Sequence, residues 1–145
     1  MLALMTSFCT LGMAQERKGE KENEEKIEVP TAIVNAFKKE FPNVRKVSWS
    51  DEDGDFEAEF KWKGTEASAT YDLSGHRKEI ETEIKADELP SGVMDFITKN
   101  YSKQKVTEIA KIINDKDVVM FEVEISANGK SSDLLFDTSG KLITK

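Results

Sequence analysis

The chain has 145 residues and a formal net charge of −7, with 38% hydrophobic and 34% charged residues. Its single cysteine and single histidine exclude an internal disulfide framework, a cysteine-ligated metal site and a multi-histidine zinc site. No basic stripe follows an element, so nucleic acid is not an expected partner.

The chain opens with "MLALMTSFCTLGMA", which is mostly apolar and carries no charge. This predicts a signal peptide over 1–14, with Gly12 and Ala14 as the small residues at −3 and −1 and cleavage after Ala14. The apolar run is too short to span a bilayer. Cys9 lies inside it and is not preceded by a lipobox-like Leu-x-Ala/Gly, so removal of the segment leaves no thiol. The expected location is periplasmic or secreted. Residues 15–28 are a charge run whose one apolar residue past Ala14 is Ile27, and they read as a flexible charged arm.

"VPTAIVNAFKKEFPNV" then places Ile33, Val34, Phe37 and Phe41 at helical spacing, with Pro30 in the first turn and Pro42 as the stop. Sixty residues on, "LPSGVMDFITKNY" aligns Pro90 with Pro30, and Val93, Met94, Ile97 and Tyr101 with that apolar stripe. After each helix the period becomes two. "VRKVSWS" is a first strand, and "FEAEFKW" sets Phe56, Ala58, Phe60 and Trp62 against Glu57, Glu59 and Lys61. The second half offers "VTEIAKIIN" and "VVMFEVEI", the latter with Val119, Phe121, Val123 and Ile125 inward. Asn128-Gly129 is a strong hairpin signal. The offset then grows from 60 to 65 residues, which places an insertion around Val106 to Asp117.

Each half therefore reads helix, strand, strand, strand, strand: 29–87 and 88–145. Either half alone would bury only about 60% of its unfolded surface, which favours halves that share one core. The fold class is α+β: two tandem helix-plus-four-stranded antiparallel repeats forming one continuous or side-by-side sheet, with the helices on one face. The repeated "YDLSG" and "FDTSG" join the third and fourth strands of each half. Asp72 and Asp137 are expected to bend the chain there.

Motifs that resemble catalytic or metal sites fail in detail. "DEDGD", Asp51 to Asp55, starts like a calcium loop but has Phe56 where Gly is needed and Trp62 where Glu is needed, so it reads as a hairpin turn. "FDTSG" lacks the Asp-Thr-Gly of aspartic proteases. Ser102 to Lys105 matches Ser-x-x-Lys at a helix end, where that motif does not belong. His76 follows a turn and reads as solvated. No cofactor fingerprint occurs. The chain reads as non-catalytic, with no cofactor and no metal.

The helix closing on "FP", "VRKVSW", "FEAEFKWKG" and "YDLSG", and their return as "ITKNY", "VVMFEVEISANGK" and "FDTSGKL", resemble the beta-lactamase-inhibitor-like, PepSY-like family of bacterial envelope proteins. The resemblance spans Val29 to Lys145. It implies helices packed on antiparallel sheets, export to the periplasm and a protein-binding role without catalysis. It carries over no contact residues.

With the helices on one face, the other face should present Glu57, Glu59, Lys61, Glu66, Ser68 and Thr70 from the first half. From the second half it should present Val118, Met120, Glu122, Glu124 and Leu135, with Ala110 and Ile112 beside them. An apolar area next to an acidic one is a candidate partner-binding surface, centred on Val118, Met120, Glu122, Glu124, Leu135, Glu57 and Glu59. The expected function is a periplasmic protein-binding module that inhibits a hydrolase. The alternative is a small-ligand carrier using a cleft between the repeats, lined by Trp49 or Trp62.

Overall fold

The computed structural model describes residues 27–144. The expected signal peptide and nearly all of the charged arm lie outside them.

Helix α1 is Thr31–Glu40. Pro30 precedes it, and its carbonyl accepts the amides of Ile33 and Val34. Ile33 and Phe37 are buried at a spacing of four residues, followed by Phe41. Strands β1 (Val47–Glu52), β2 (Asp55–Trp62), β3 (Thr65–Tyr71) and β4 (Arg77–Glu83) follow. A 3-10 turn at Ala86–Glu88 leads to α2, Val93–Asn100. Pro90 does not open α2 as Pro30 opens α1. Gly92, at φ 86°, intervenes as the N-cap, so the helix starts three residues past the proline. Strands β5 (Lys105–Asn114), β6 (Val119–Ala127), β7 (Lys130–Phe136) and β8 (Leu142–Thr144) complete the chain.

The eight strands form a single antiparallel sheet in sequence order. Of the two arrangements left open by the sequence, the continuous sheet is the one observed. Its seam is β4–β5, where Glu79 to Glu83 pair with Asn114 to Ala110. Register disruptions fall at Thr70/Tyr71 and at Leu135/Phe136, each just ahead of an Asp-x-Ser-Gly turn, and a third falls at Val106/Glu108 between β5 and β6.

Cross-strand partners in an antiparallel sheet share a face. Phe60 pairs with Ala67, Ala69 with Ile80, and Ile80 with Ile113. Ile113 pairs with Val119, two residues before Phe121, which pairs with Phe136. All of these lie on one face, and both helices cover that face. The expected single shared core is not what forms. Ile33, Phe37 and Phe41 pack with Phe56, Phe60 and Tyr71 in one cluster, while Val93 and Ile97 pack with Val123, Ile125, Leu134 and Phe136 in another. The halves are joined by backbone pairing at the seam, which needs no common apolar cluster. Ile113 of β5 still reaches the first cluster. No described helix is long and apolar enough to cross a membrane.

Candidate functional site

The opposite face has no described helix over it. Its residues follow from the same register. Glu59, Ser68, Glu81, Ile112 and Met120 run side by side across β2 to β6. Next to them Glu83, Ala110, Glu122 and Leu135 run across β4 to β7. Glu108, Glu124 and Asp133 form a further row. Glu57, Thr70 and Glu79 form another. With Glu66 of β3, which pairs with Lys61, every strand from β2 to β7 contributes a carboxylate to this face.

Several of these groups are buried without cover. Glu57, Glu81, Glu122 and Glu124 are all below 10% exposed, and Ser68 with them. Burial this deep on a face with no described element over it means that neighbouring side chains crowd over one another. Ser50 donates a hydroxyl to Glu57 at 3.4 Å, and Thr107 donates one to Glu124. Glu81 Oε2 is enclosed and has no hydrogen-bond partner.

Burial and mutual repulsion act together on several carboxyls of this face. Burial first, then the charges of Asp133 and Glu108, push the Glu122 carboxyl up to about 8. Burial, then Glu124 and Glu83, push Glu108 up to about 7. Glu81 is held well above the ordinary carboxylate range by burial and then by Glu122 and Glu108. Glu57, Glu59, Glu79 and Asp133 are raised as well, in each case mainly by burial. Removing a carboxylate from water disfavours its charged form, and like charges nearby add to that. At neutral pH this face therefore holds protons that free carboxylates would have lost.

By register, Glu57, Glu59, Met120, Glu122, Glu124 and Leu135 lie on this face. Glu57 and Glu59 sit on β2, while Met120, Glu122 and Glu124 sit on β6, with Leu135 beside them on β7 and Val118 just ahead of β6. Three strands separate the β2 pair from the β6 group, and those strands carry carboxylates that sequence reasoning missed: Glu79, Glu81, Glu83 and Glu108. Asp133 on β7 was missed too. The signal for β4 was present, since "EIETEI" alternates Glu with apolar or small residues from Glu79 to Ile84.

The remaining candidates fall elsewhere. The His76 ring faces Asp115 at 3.4 Å on the surface, while its backbone amide bonds to Asp72. Trp49 and Trp62 pack against Phe37 and Phe41 in the first core. An open groove of about 810 Å³ lies along the β1 edge, lined among others by Val44, Arg45, Lys46, Phe60 and Lys61. It is within the first half and touches neither tryptophan, so it is not the cleft expected of a carrier. Among the described residues no cluster of three or more His, Cys, Asp or Glu converges to hold a metal ion.

The family model described as "Putative beta-lactamase-inhibitor-like, PepSY-like" matches residues 53–144. No curated protein matches the chain. Solved structures do. A protein of Bacteroides eggerthii DSM 20697, described as "putative periplasmic", shares 16% identity over 81% of this chain and 87% of its own, with a TM-score of 0.71. A DUF2874 family protein of Bacteroides uniformis ATCC 8492 shares 23% over 79% and 86%, with a TM-score of 0.68. A BLIP-like protein of Bacteroides fragilis NCTC 9343 shares 23% over 83% and 86%, with a TM-score of 0.63. These likenesses are of fold.

Proposed function

We propose that this chain, which belongs to the beta-lactamase-inhibitor-like, PepSY-like family, is a non-catalytic protein-binding module of the cell envelope that inhibits a hydrolase. The observation that carries the reading is the open face of the eight-stranded sheet. It sets a row of carboxylates beside the apolar Met120 and Leu135, with Val118 49% exposed at its border. Apolar area next to charge, on a rigid sheet, is the make-up of a recognition surface.

Three further parts belong to this proposal. The contact surface comprises Val118, Met120, Glu122, Glu124 and Leu135, with Glu57 and Glu59 at its far side. The signal peptide over 1–14 exports the chain, a reading supported by the periplasmic description of one similar structure. The segments 29–87 and 88–145 are two copies of one unit. In support, residues 31–40 and 91–100 show the same burial pattern position by position.

The test is affinity capture from envelope extract, followed by an assay of each captured hydrolase with and without the protein. Capture and inhibition weakened by Met120→Asp and Leu135→Asp are expected. Capture unaffected by either variant places the contact elsewhere. A captured set without any inhibited hydrolase removes the inhibitor reading.

A further inference from the structure

We propose that the open face seats a Lys or Arg side chain of the partner protein over Glu81, between Glu57, Glu108 and Glu122. This rests on the protein-binding reading above and adds the chemistry of the contact.

The geometry asks for a cation. Glu81 is 5% exposed, and its Oε2 has no hydrogen-bond partner. A buried acceptor left unmet is costly, and more so for a carboxylate. The neighbouring charges that raise Glu81 are carboxylates: Glu122, Glu108 and Glu57 from other strands and Glu79 from its own. Lys61, on the same face of β2, is already held by Glu66 at 2.9 Å. The face therefore crowds carboxyl groups around an acceptor that nothing in the described chain satisfies, and a cation seated there would draw off the protons they hold. Such a face is the complement of an ammonium or guanidinium group.

The occupant is a side chain rather than a metal ion. No three carboxylates here converge on one point. They stand on β2, β4, β5 and β6 and are spread over several rows of the register, which suits a long cationic side chain with several donors. Ile112 and Met120, in register with Glu81, supply an apolar bed for the methylene stem of such a side chain.

The probe is a capped tri-arginine peptide, titrated into the labelled protein at pH 8 and low salt and followed by amide NMR shifts. Shifts should concentrate on β4 to β6 around Glu81, Ile112 and Glu122. The Glu81→Gln/Glu122→Gln double variant should bind at least about tenfold more weakly. A Glu28→Gln/Asp87→Asn variant, which loses two carboxylates at exposed positions, should bind as the native protein does. Shifts spread over the whole acidic surface, or equal weakening by both double variants, overturn the seat. The two proposals fail separately. Envelope capture that survives Glu81→Gln/Glu122→Gln removes the cationic seat and leaves the protein-binding module. Tri-arginine binding at this face with no captured protein keeps the seat and removes the module.

Discussion

Asp72 and Asp137 make the same three hydrogen bonds at the same distances. Each Oδ1 accepts the amide of the serine two residues on at 2.8 Å, that serine's hydroxyl at 2.6 Å, and the amide four residues on at 3.0 Å. These bonds hold both carboxyls below the usual range, with the serine hydroxyl as the largest cause. The aspartates shape the turns between β3 and β4 and between β7 and β8. A depressed carboxyl pKa adds stability above the unfolded value and loses it as pH falls through the folded one. Asp72→Ala and Asp137→Ala should each lower the denaturation midpoint at pH 7 by more than at pH 3. Asp72→Asn, which keeps an acceptor, should lose less. Equal effects at both pH values would show that the charge plays no part.

Each of these turns ends in a glycine pressed against a helix start. A Cβ on Gly140 would stand 2.8 Å from the Ser91 carbonyl oxygen, and one on Gly75 would stand 3.1 Å from that of Ala32. Gly129, at a similar positive φ, faces open space. Gly129→Ala should therefore cost only the backbone strain, about 1 kcal/mol. Gly140→Ala adds a backbone clash and should cost about 2 kcal/mol or more. Urea unfolding of the two variants decides it, and equal losses would dismiss the contact with α2.

The acidic face sets a pH dependence of opposite sign. Raised folded-state pKa values mean that the native protein holds protons the unfolded chain has released, so stability falls as pH rises. The window runs from the ordinary 4.5 up through about 7 for Glu108 and about 8 for Glu122. One pKa unit is about 1.4 kcal/mol. The groups repel one another, so their contributions do not add, and solvent weakens that of the partly exposed Glu108. A loss of about 2–4 kcal/mol between pH 5 and pH 8.5 is expected. Groups facing the cluster include Glu57 and Glu59 on β2, Glu79 and Glu83 on β4 with Lys78 beside Glu79, Glu124 on β6 and Asp133 on β7. A flat or rising profile over that range, measured by chemical denaturation, contradicts this account.

Glu81→Gln isolates the enclosed carboxyl. The amide fills the same space and carries no charge at any pH. The variant should gain on the native protein by about 1–2 kcal/mol more at pH 8.5 than at pH 5. No change with pH in that difference would mean that Glu81 does not titrate in this range.

The seam makes a prediction about cooperativity. The two cores touch different helices, but five residue pairs join β4 to β5, and the Ile84 amide adds a bond to the Ile109 carbonyl at 2.9 Å. Phe37→Ala should cost about 3–5 kcal/mol, since its ring meets Phe41, Trp49, Phe60 and Tyr71. Ile97→Ala should cost about 2–5 kcal/mol. Both tryptophans report on the first core. If the sheet unfolds as one unit, Ile97→Ala shifts the tryptophan fluorescence midpoint as well. An unshifted midpoint would show the halves unfolding separately.

The sequence by itself determined the elements and their sides. A change of period from 3.6 to 2 marks helix and strand wherever one face is apolar, and Phe37 and Phe60 obey it because both must leave water. The Asn128-Gly129 and Asp-x-Ser-Gly turns were legible because their residues bond their own backbone or accept positive φ. So was the side on which Glu57, Met120 and Glu122 lie, since alternation fixes the side of each strand. Alternation does not fix which strand is the neighbour. Only the tertiary structure decided that β4 pairs with β5, and that pairing brings Glu79, Glu81 and Glu83 beside Glu108 and Glu122. The enclosure of Glu81 and the raised affinity of its neighbours for protons arise from that assembly. Burial and Coulomb repulsion depend on distances between strands, and no single strand contains them.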